Sequence, residues 1–131
     1  MGEKKILVVE DNVMNLELVS DLLEAHGFRV VQAESGAAAI ELAENEQPDL
    51  ILMDLQLPEM DGLEATRRLK QNHLTKSIIV VALTAHAMIG DEEKAREAGC
   101  SGYIAKPINT REFGEVISGF LDGSPHSAEE H

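Results

Sequence analysis

Apolar positions along this chain follow two different periods. Short runs that are apolar or β-branched at most positions occur at 5–9 (KILVV), 28–33 (FRVVQA), 50–54 (LILMD), 78–83 (IIVVAL) and 102–105 (GYIA), and these predict strands. Between them the apolar residues recur at helical spacing. Val13, Leu16, Val19, Leu22 and Leu23 do so in 13–26, and Ala39, Ile40 and Leu42 in 36–46. Leu63, Ala65 and Leu69 continue the pattern in 62–71, and Phe113, Val116, Ile117 and Phe120 in 110–121. A further helix is expected over 87–98, where Gly90 interrupts the pattern and Asp91 offers a fresh start.

The residues between these runs agree with that division. Asn12 and Ser35 are suited to N-cap positions, and Asp61-x-x-Glu64 and Asn109-x-x-Glu112 have the spacing of capping boxes. Gly27 and Gly99 follow helical stretches where a left-handed residue closes the last turn. Short strands alternating with crossover helices imply a parallel sheet. Runs that are apolar on both faces, at 6–9, 50–53 and 78–83, belong in its centre under helices on either side. The run at 28–33, broken by Arg29 and Gln32, reads as an edge. The economical solution is an α/β fold, a doubly wound five-stranded parallel sheet.

Composition narrows the class without adding chemistry. A chain of 131 residues with 44% apolar content builds one core. Three Phe and one Tyr are its only aromatics, so that core is aliphatic. One domain over 1–121 with a polar tail at 122–131 is expected. No apolar run approaches the roughly 18 residues of a membrane span, and MGEKKILVVEDN lacks the pattern of a secretory leader, so a cytoplasmic protein away from membranes is expected. The lone Cys100 excludes an internal disulfide and a cysteine-based metal cluster. A net charge of −13, from 24 acids against 11 bases, repels phosphate backbones and speaks against nucleic acid as a partner.

The candidate chemistry sits where the apolar runs stop. In open parallel α/β sheets ligands bind beyond the carboxyl ends of the strands. Glu10 and Asp11 follow the first run, Asp54 ends the third, Thr84 follows the fourth and Lys106 the fifth. Taken singly, each has an ordinary reading as a helix-start acid, a turn residue or a solvated cation. Together they put three carboxylates, a hydroxyl and an ammonium on one rim. Two like charges about 4 Å apart near a surface cost on the order of 4 kcal/mol. A divalent cation relieves that cost, and oxygen-only ligands suit Mg²⁺. Such an ion attracts phosphoryl oxygens. Lys106 and Thr84 could bind the other oxygens, which leaves Asp54 as the nucleophile toward phosphorus.

ILVVEDN (6–12), PDLILMDLQLPEMDG (48–62), VVALTAHA (80–87) and YIAKPI (103–108) stand in an order and spacing that resembles the receiver domain of two-component response regulators. The likeness spans about residues 5–121. It implies a flavodoxin-like sheet of order 2-1-3-4-5 with five helices. It also implies Asp54 as acceptor of a phosphoryl group from the phosphohistidine of a sensor histidine kinase or histidine phosphotransfer protein. Glu10, Asp11 and Asp54, with the Gln56 carbonyl, would surround Mg²⁺. Lys106 would bind the phosphate, its bond to Pro107 being cis, and Thr84 with Tyr103 would be the switch pair. Phosphorylation would then reshape the surface of the fourth helix, fifth strand and fifth helix toward a downstream protein. Gln56 and His86 occupy positions expected to tune autodephosphorylation.

Within that family the chain looks like a single-domain regulator of the DivK type, with too few residues after the fifth helix for an output module. The receiver of a hybrid histidine kinase is the alternative. A Mg²⁺-dependent phosphatase of the haloacid dehalogenase kind would need an acid where Gln56 stands. A degenerate receiver is at odds with the full set of Glu10, Asp11, Asp54, Thr84 and Lys106.

Overall fold

The computed structural model describes residues 3–85, 90–106 and 108–122. Five strands, β1 (Lys5–Val9), β2 (Arg29–Ala33), β3 (Leu50–Asp54), β4 (Ile79–Thr84) and β5 (Gly102–Ala105), alternate with five helices. These are α1 (Val13–Ala25), α2 (Gly36–Glu46), α3 (Gly62–Gln71), α4 (Asp91–Ala98) and α5 (Phe113–Leu121). All four strand pairings are parallel, in the order β2-β1-β3-β4-β5.

Alternation along the strands divides the core into two layers. Ile6, Val8, Leu50, Leu52, Val81, Leu83 and Ile104 face α1 and α5, meeting Leu16, Val19, Leu23, Phe113, Ile117 and Phe120. Leu7, Val9, Ile51, Met53, Val80, Ala82 and Tyr103 face the other side, meeting Ala39, Ala43, Ala65, Leu69 and Ala95 of α2, α3 and α4. Both faces of β1, β3 and β4 are therefore sealed, which is why these runs lack a polar alternate. Burial of each such Leu, Ile or Val contributes roughly 1.5–3 kcal/mol. Strand β2 is the edge, with Arg29 and Gln32 exposed.

Side chains start three helices as the sequence predicts. Asn12, Ser35 and Asp61 accept from the backbone N–H groups of Asn15 (3.0 Å), Ala38 (3.1 Å) and Glu64 (2.8 Å). The box at Asp61 is only half made, since the Glu64 carboxylate turns to Arg67 and Arg68. Gly27 and Gly99 hold positive φ of 99° and 116° at the ends of α1 and α4, as a left-handed closing residue requires.

Boundaries differ from the sequence expectation at α5 and at the end of β4. Asn109 accepts from the backbone N–H groups of Arg111 and Glu112, so it caps an isolated turn, and α5 begins only at Phe113. Helix α4, by contrast, makes the expected fresh start at Asp91, after Gly90 at φ 95°. Thr84 is the last residue of β4 and does not lie beyond it. The expectations for 87–89, His86, Pro107 and the tail from 123 onward lie outside the described residues.

Where α3 packs on α4, a small polar group lies under the surface. Thr66 donates to the Gly62 carbonyl at 2.8 Å, and the buried Cys100 thiol sits 4.0 Å from the Thr66 oxygen. Burial pushes the Cys100 thiol up to about 11, against smaller opposing effects of Thr66 and Lys70. The Lys70 stem crosses Gly99, and its ammonium donates to the Ile78 carbonyl at 2.6 Å.

Candidate functional site

Strand register brings the carboxylates together. Val9 lies beside Met53 across the β1–β3 pair, so Glu10 and Asp54, each one residue further on, end side by side. Leu83 partners Asp54, and Thr84 partners Ala105, which sets Thr84 and then Lys106 along the same rim. Glu10, Asp11 and Asp54 each offer an oxygen, and these oxygens all lie within 4.8 Å of one another. Glu10 and Asp54 are each 2% exposed, whereas Asp11 is open to solvent. The donor set is all carboxylate oxygen, with one exposed member through which an ion can enter. It fits a small hard cation such as Mg²⁺.

Lys106 is the counter-charge already in place. Its Nζ lies 3.0 Å from Glu10 Oε1 and 3.4 Å from Asp54 Oδ2. Burial by itself would depress this ammonium, but the Glu10 and Asp54 carboxylates outweigh it and hold the lysine above its ordinary value. Glu10 moves upward for the reverse balance: burial and the neighbouring Asp54 exceed the relief from Lys106.

Backbone geometry orients the Asp54 carboxylate. The Gln56 N–H donates to Asp54 Oδ1 at 2.9 Å, leaving Oδ2 toward Lys106. Gly62 packs against the chain at Asp54 so closely that a Cβ there would overlap the Asp54 carbonyl and Leu55 Cα. The turn from Leu55 to Asp61 therefore folds back tightly over the end of β3, with its return fixed by the Gly62 N–H on the Leu55 carbonyl (3.3 Å).

Of the remaining residues singled out in the sequence, Thr84 joins the site through its hydroxyl, which accepts from Gln56 Nε2 at 2.9 Å. Tyr103 faces the same layer of the core as Ala82, its strand partner, and is 7% exposed. Its ring already lies inward. His86 lies outside the described residues. Two features of the site left no trace in residue order. One is the bridging side chain of Gln56, since a lone glutamine after a strand has no motif. The other is the close approach at Gly62, hidden because Asp61-Gly62 reads as an ordinary helix start.

A model of the response regulator receiver domain matches residues 6–118 of the chain. The chain belongs to the receiver domain family. This receiver is 48% identical over 118 residues to the polar-differentiation response regulator DivK of Brucella ovis, spanning 90% of this chain and 96% of that one. Identity to the Brucella anthropi DivK is also 48% over 118 residues, with the same coverage. Among solved structures it superposes on the receiver domain of a Pseudomonas aeruginosa sensor histidine kinase, with a TM-score of 0.85 and 35% identity. The match covers 92% of this chain and 99% of that one, which has a magnesium ion coordinated in its active site cleft. A CheY-like receiver from Methanospirillum hungatei gives a TM-score of 0.86 at 30% identity, covering 93% of this chain and 96% of that one. The receiver is a DivK-like signalling protein of two-component phosphorelays. Receiver domains interact with kinases or phosphotransfer proteins. Among the described residues, no helix is long and apolar enough to cross a membrane.

Proposed function

We propose that this receiver takes a phosphoryl group onto Asp54 from the phosphohistidine of a kinase or phosphotransfer protein. The observation that carries this is the pairing of a buried, aimed carboxylate with Lys106 and two further acids on one rim. Glu10, Asp11 and Asp54 are the residues that would hold Mg²⁺, with the Gln56 carbonyl as a fourth oxygen. When bound, the ion supplies positive charge to the oxygens of the transferring group.

The chain's own residues do the rest. An Asp54 carboxylate oxygen attacks phosphorus, the P–N bond to the donor imidazole breaks, and its electron pair returns to the imidazole nitrogen, which takes up a proton. Gln56 N–H keeps Asp54 from rotating away, and Lys106 shifts from Asp54 Oδ2 to an oxygen of the arriving group. Thr84, at the end of the neighbouring strand, donates to another phosphoryl oxygen. The product carries about −1.5 to −2 charge at pH 7 where a single carboxylate charge stood. Two packings of the β4–α4 region are rebalanced by that charge, and a downstream protein reads the face formed by α4, β5 and α5. Hydrolysis of the acyl phosphate, tuned by Gln56 and His86, returns the carboxylate.

Acetyl phosphate with Mg²⁺ tests the reading directly. Intact mass should show one phosphoryl adduct, stable in mild acid and lost in base, and Asp54→Asn should abolish it. An undiminished adduct on Asp54→Asn overturns the assignment. Turnover of small phosphoesters would point to a phosphatase instead.

A further inference from the structure

Glu10 and Asp54, the two buried acids of the site, are held in the same way. Each has one oxygen on Lys106 and the other on a backbone N–H two residues further along the chain. For Asp54 that N–H belongs to Gln56; for Glu10 it belongs to Asn12, 3.3 Å from Oε2. The Asn12 side chain serves a different partner. Its Oδ1 accepts from the Asn15 N–H at 3.0 Å and caps α1, while the Asn12 carbonyl accepts from the Leu16 N–H at 2.9 Å. The backbone at Asn12 is extended, at φ −86° and ψ 118°, as N-cap residues are. Core packing does little to place this turn: Val13 and Met14 are 55% and 80% exposed, and Leu16 is the first buried residue of the helix. The cap therefore decides where α1 starts, and the capping residue also carries the N–H that meets Glu10.

From this geometry we infer that the Asn12 carboxamide positions Glu10 for a cation. It acts at one remove: by capping α1 it fixes the backbone at position 12, and the N–H fixed there holds Glu10 Oε2. The inference rests on the carboxylate cluster as the Mg²⁺ site, as proposed above. Lys106 alone does not orient this carboxylate, because a flexible four-carbon stem carrying a point charge sets a distance and not a direction. Glutamate also has one more rotatable bond than aspartate, so its second oxygen needs a partner to stay turned toward the cluster. With the Asn12 N–H in place, oxygens of Glu10, Asp11 and Asp54 lie within 4.8 Å of one another. Alanine at position 12 has no side chain to hold the capping conformation, and the N–H then moves with a fraying turn. The entropy of ordering Glu10 would fall on the cation as it binds. Asn12 is thus a positioning residue acting through Glu10, with its own side-chain oxygen on α1.

Removing a group that orients a metal ligand weakens binding by about tenfold or more, and Asn12→Ala should weaken Mg²⁺ to that extent. Calorimetric titration of MgCl₂ compares the wild-type protein with Asn12→Ala, Asn12→Ser and Ser35→Ala, with urea unfolding in parallel. Serine keeps a capping oxygen at position 12. Ser35→Ala removes the corresponding cap of α2, a 3.1 Å bond from the Ala38 N–H, and controls for lost stability alone. Backbone NMR follows hydrogen exchange at the residue 12 amide without Mg²⁺. The two alanine variants should lose similar stability, but only Asn12→Ala should bind Mg²⁺ about tenfold more weakly and exchange faster at position 12. Asn12→Ser should stay within about threefold of the wild type in affinity. Unchanged Mg²⁺ binding in Asn12→Ala, an equal loss in Ser35→Ala, unaltered exchange at position 12, or no recovery in Asn12→Ser each overturns the inference alone. A wild-type protein that binds no Mg²⁺ overturns the cation site itself, and the inference falls with it.

Discussion

Lys106 Nζ lies 3.0 Å from Glu10 Oε1, an ion pair between residues 96 positions apart that closes the rim of the sheet from β5 back to β1. Between them stands Asp54, 3.4 Å from the same nitrogen. The lysine is therefore shared by two carboxylates before any phosphoryl group arrives. Its position follows from register: one residue past the Thr84–Ala105 pair, a four-carbon stem spans the end of β4 to reach β3 and β1.

Replacing that lysine should separate two properties that are often assumed to move together. In Lys106→Met the acids lose their internal counter-charge, so the metal-free protein should lose about 2 kcal/mol of stability, less than for a fully buried pair because the side chain is 20% exposed. Mg²⁺ should then bind more tightly, by about tenfold or more, since it meets an unneutralised cluster. Phosphorylation by acetyl phosphate should fall even so, because the cation proposed to stabilise the phosphoryl oxygens is gone. Calorimetric titration, thermal unfolding with and without Mg²⁺, and adduct yield check the three directions. Weaker Mg²⁺ binding would show that Lys106 supports the cluster in some other way.

Gly62 offers a test of the backbone fold at the acceptor. A methyl group there meets the Asp54 carbonyl and the Leu55 Cα, neither of which can move without shifting β3. Gly62→Ala should cost about 1–3 kcal/mol in urea unfolding and misalign Asp54, with loss of most of the adduct. Gly119→Ala meets open space and should do neither.

Much of this arrangement was legible from residue order, and the reasons differ by element. The strands β1, β3 and β4 were visible because burial on both faces leaves no polar alternate, and their ends named Glu10, Asp54 and Thr84. Charge then made a common rim the natural reading of Lys106. Helix starts were legible where a side chain alone decides them, as at Asn12 and Ser35. Asn109 misled because its side chain stabilises a turn whether or not a helix follows at once, and the apolar face of α5 begins only at Phe113. The Gln56 bridge and the Gly62 approach were not legible, since both depend on how the β3–α3 turn folds back over the sheet. Tyr103 could be placed on its strand, but its inward ring depends on packing against α4.

Ionisation of Cys100 gives a pH dependence away from the site. Its thiol is raised from 9.0 to about 11 by burial, so the folded state holds this proton more tightly than the unfolded chain. Stability from this group is complete below pH 9 and is lost as pH rises toward 11, by roughly 2–3 kcal/mol at most. Lys70 is shifted downward by burial and contributes in the opposite sense, so the comparison must be with Cys100→Ala and not with absolute stability alone. Unfolding free energies at pH 8 and pH 10.5 should fall further in the wild-type protein than in Cys100→Ala. A thiol reagent at pH 8 should react with the unfolded chain and scarcely with the native one.

The most direct measurement is to locate the phosphoryl group itself. Borohydride reduction of the acetyl-phosphate-treated protein converts an aspartyl phosphate to homoserine, which peptide mass spectrometry assigns to a position. Homoserine is expected at position 54, dependent on Mg²⁺ and absent without phosphodonor. Homoserine at position 11 instead, or no conversion at 54 under conditions where an adduct is present, would contradict it.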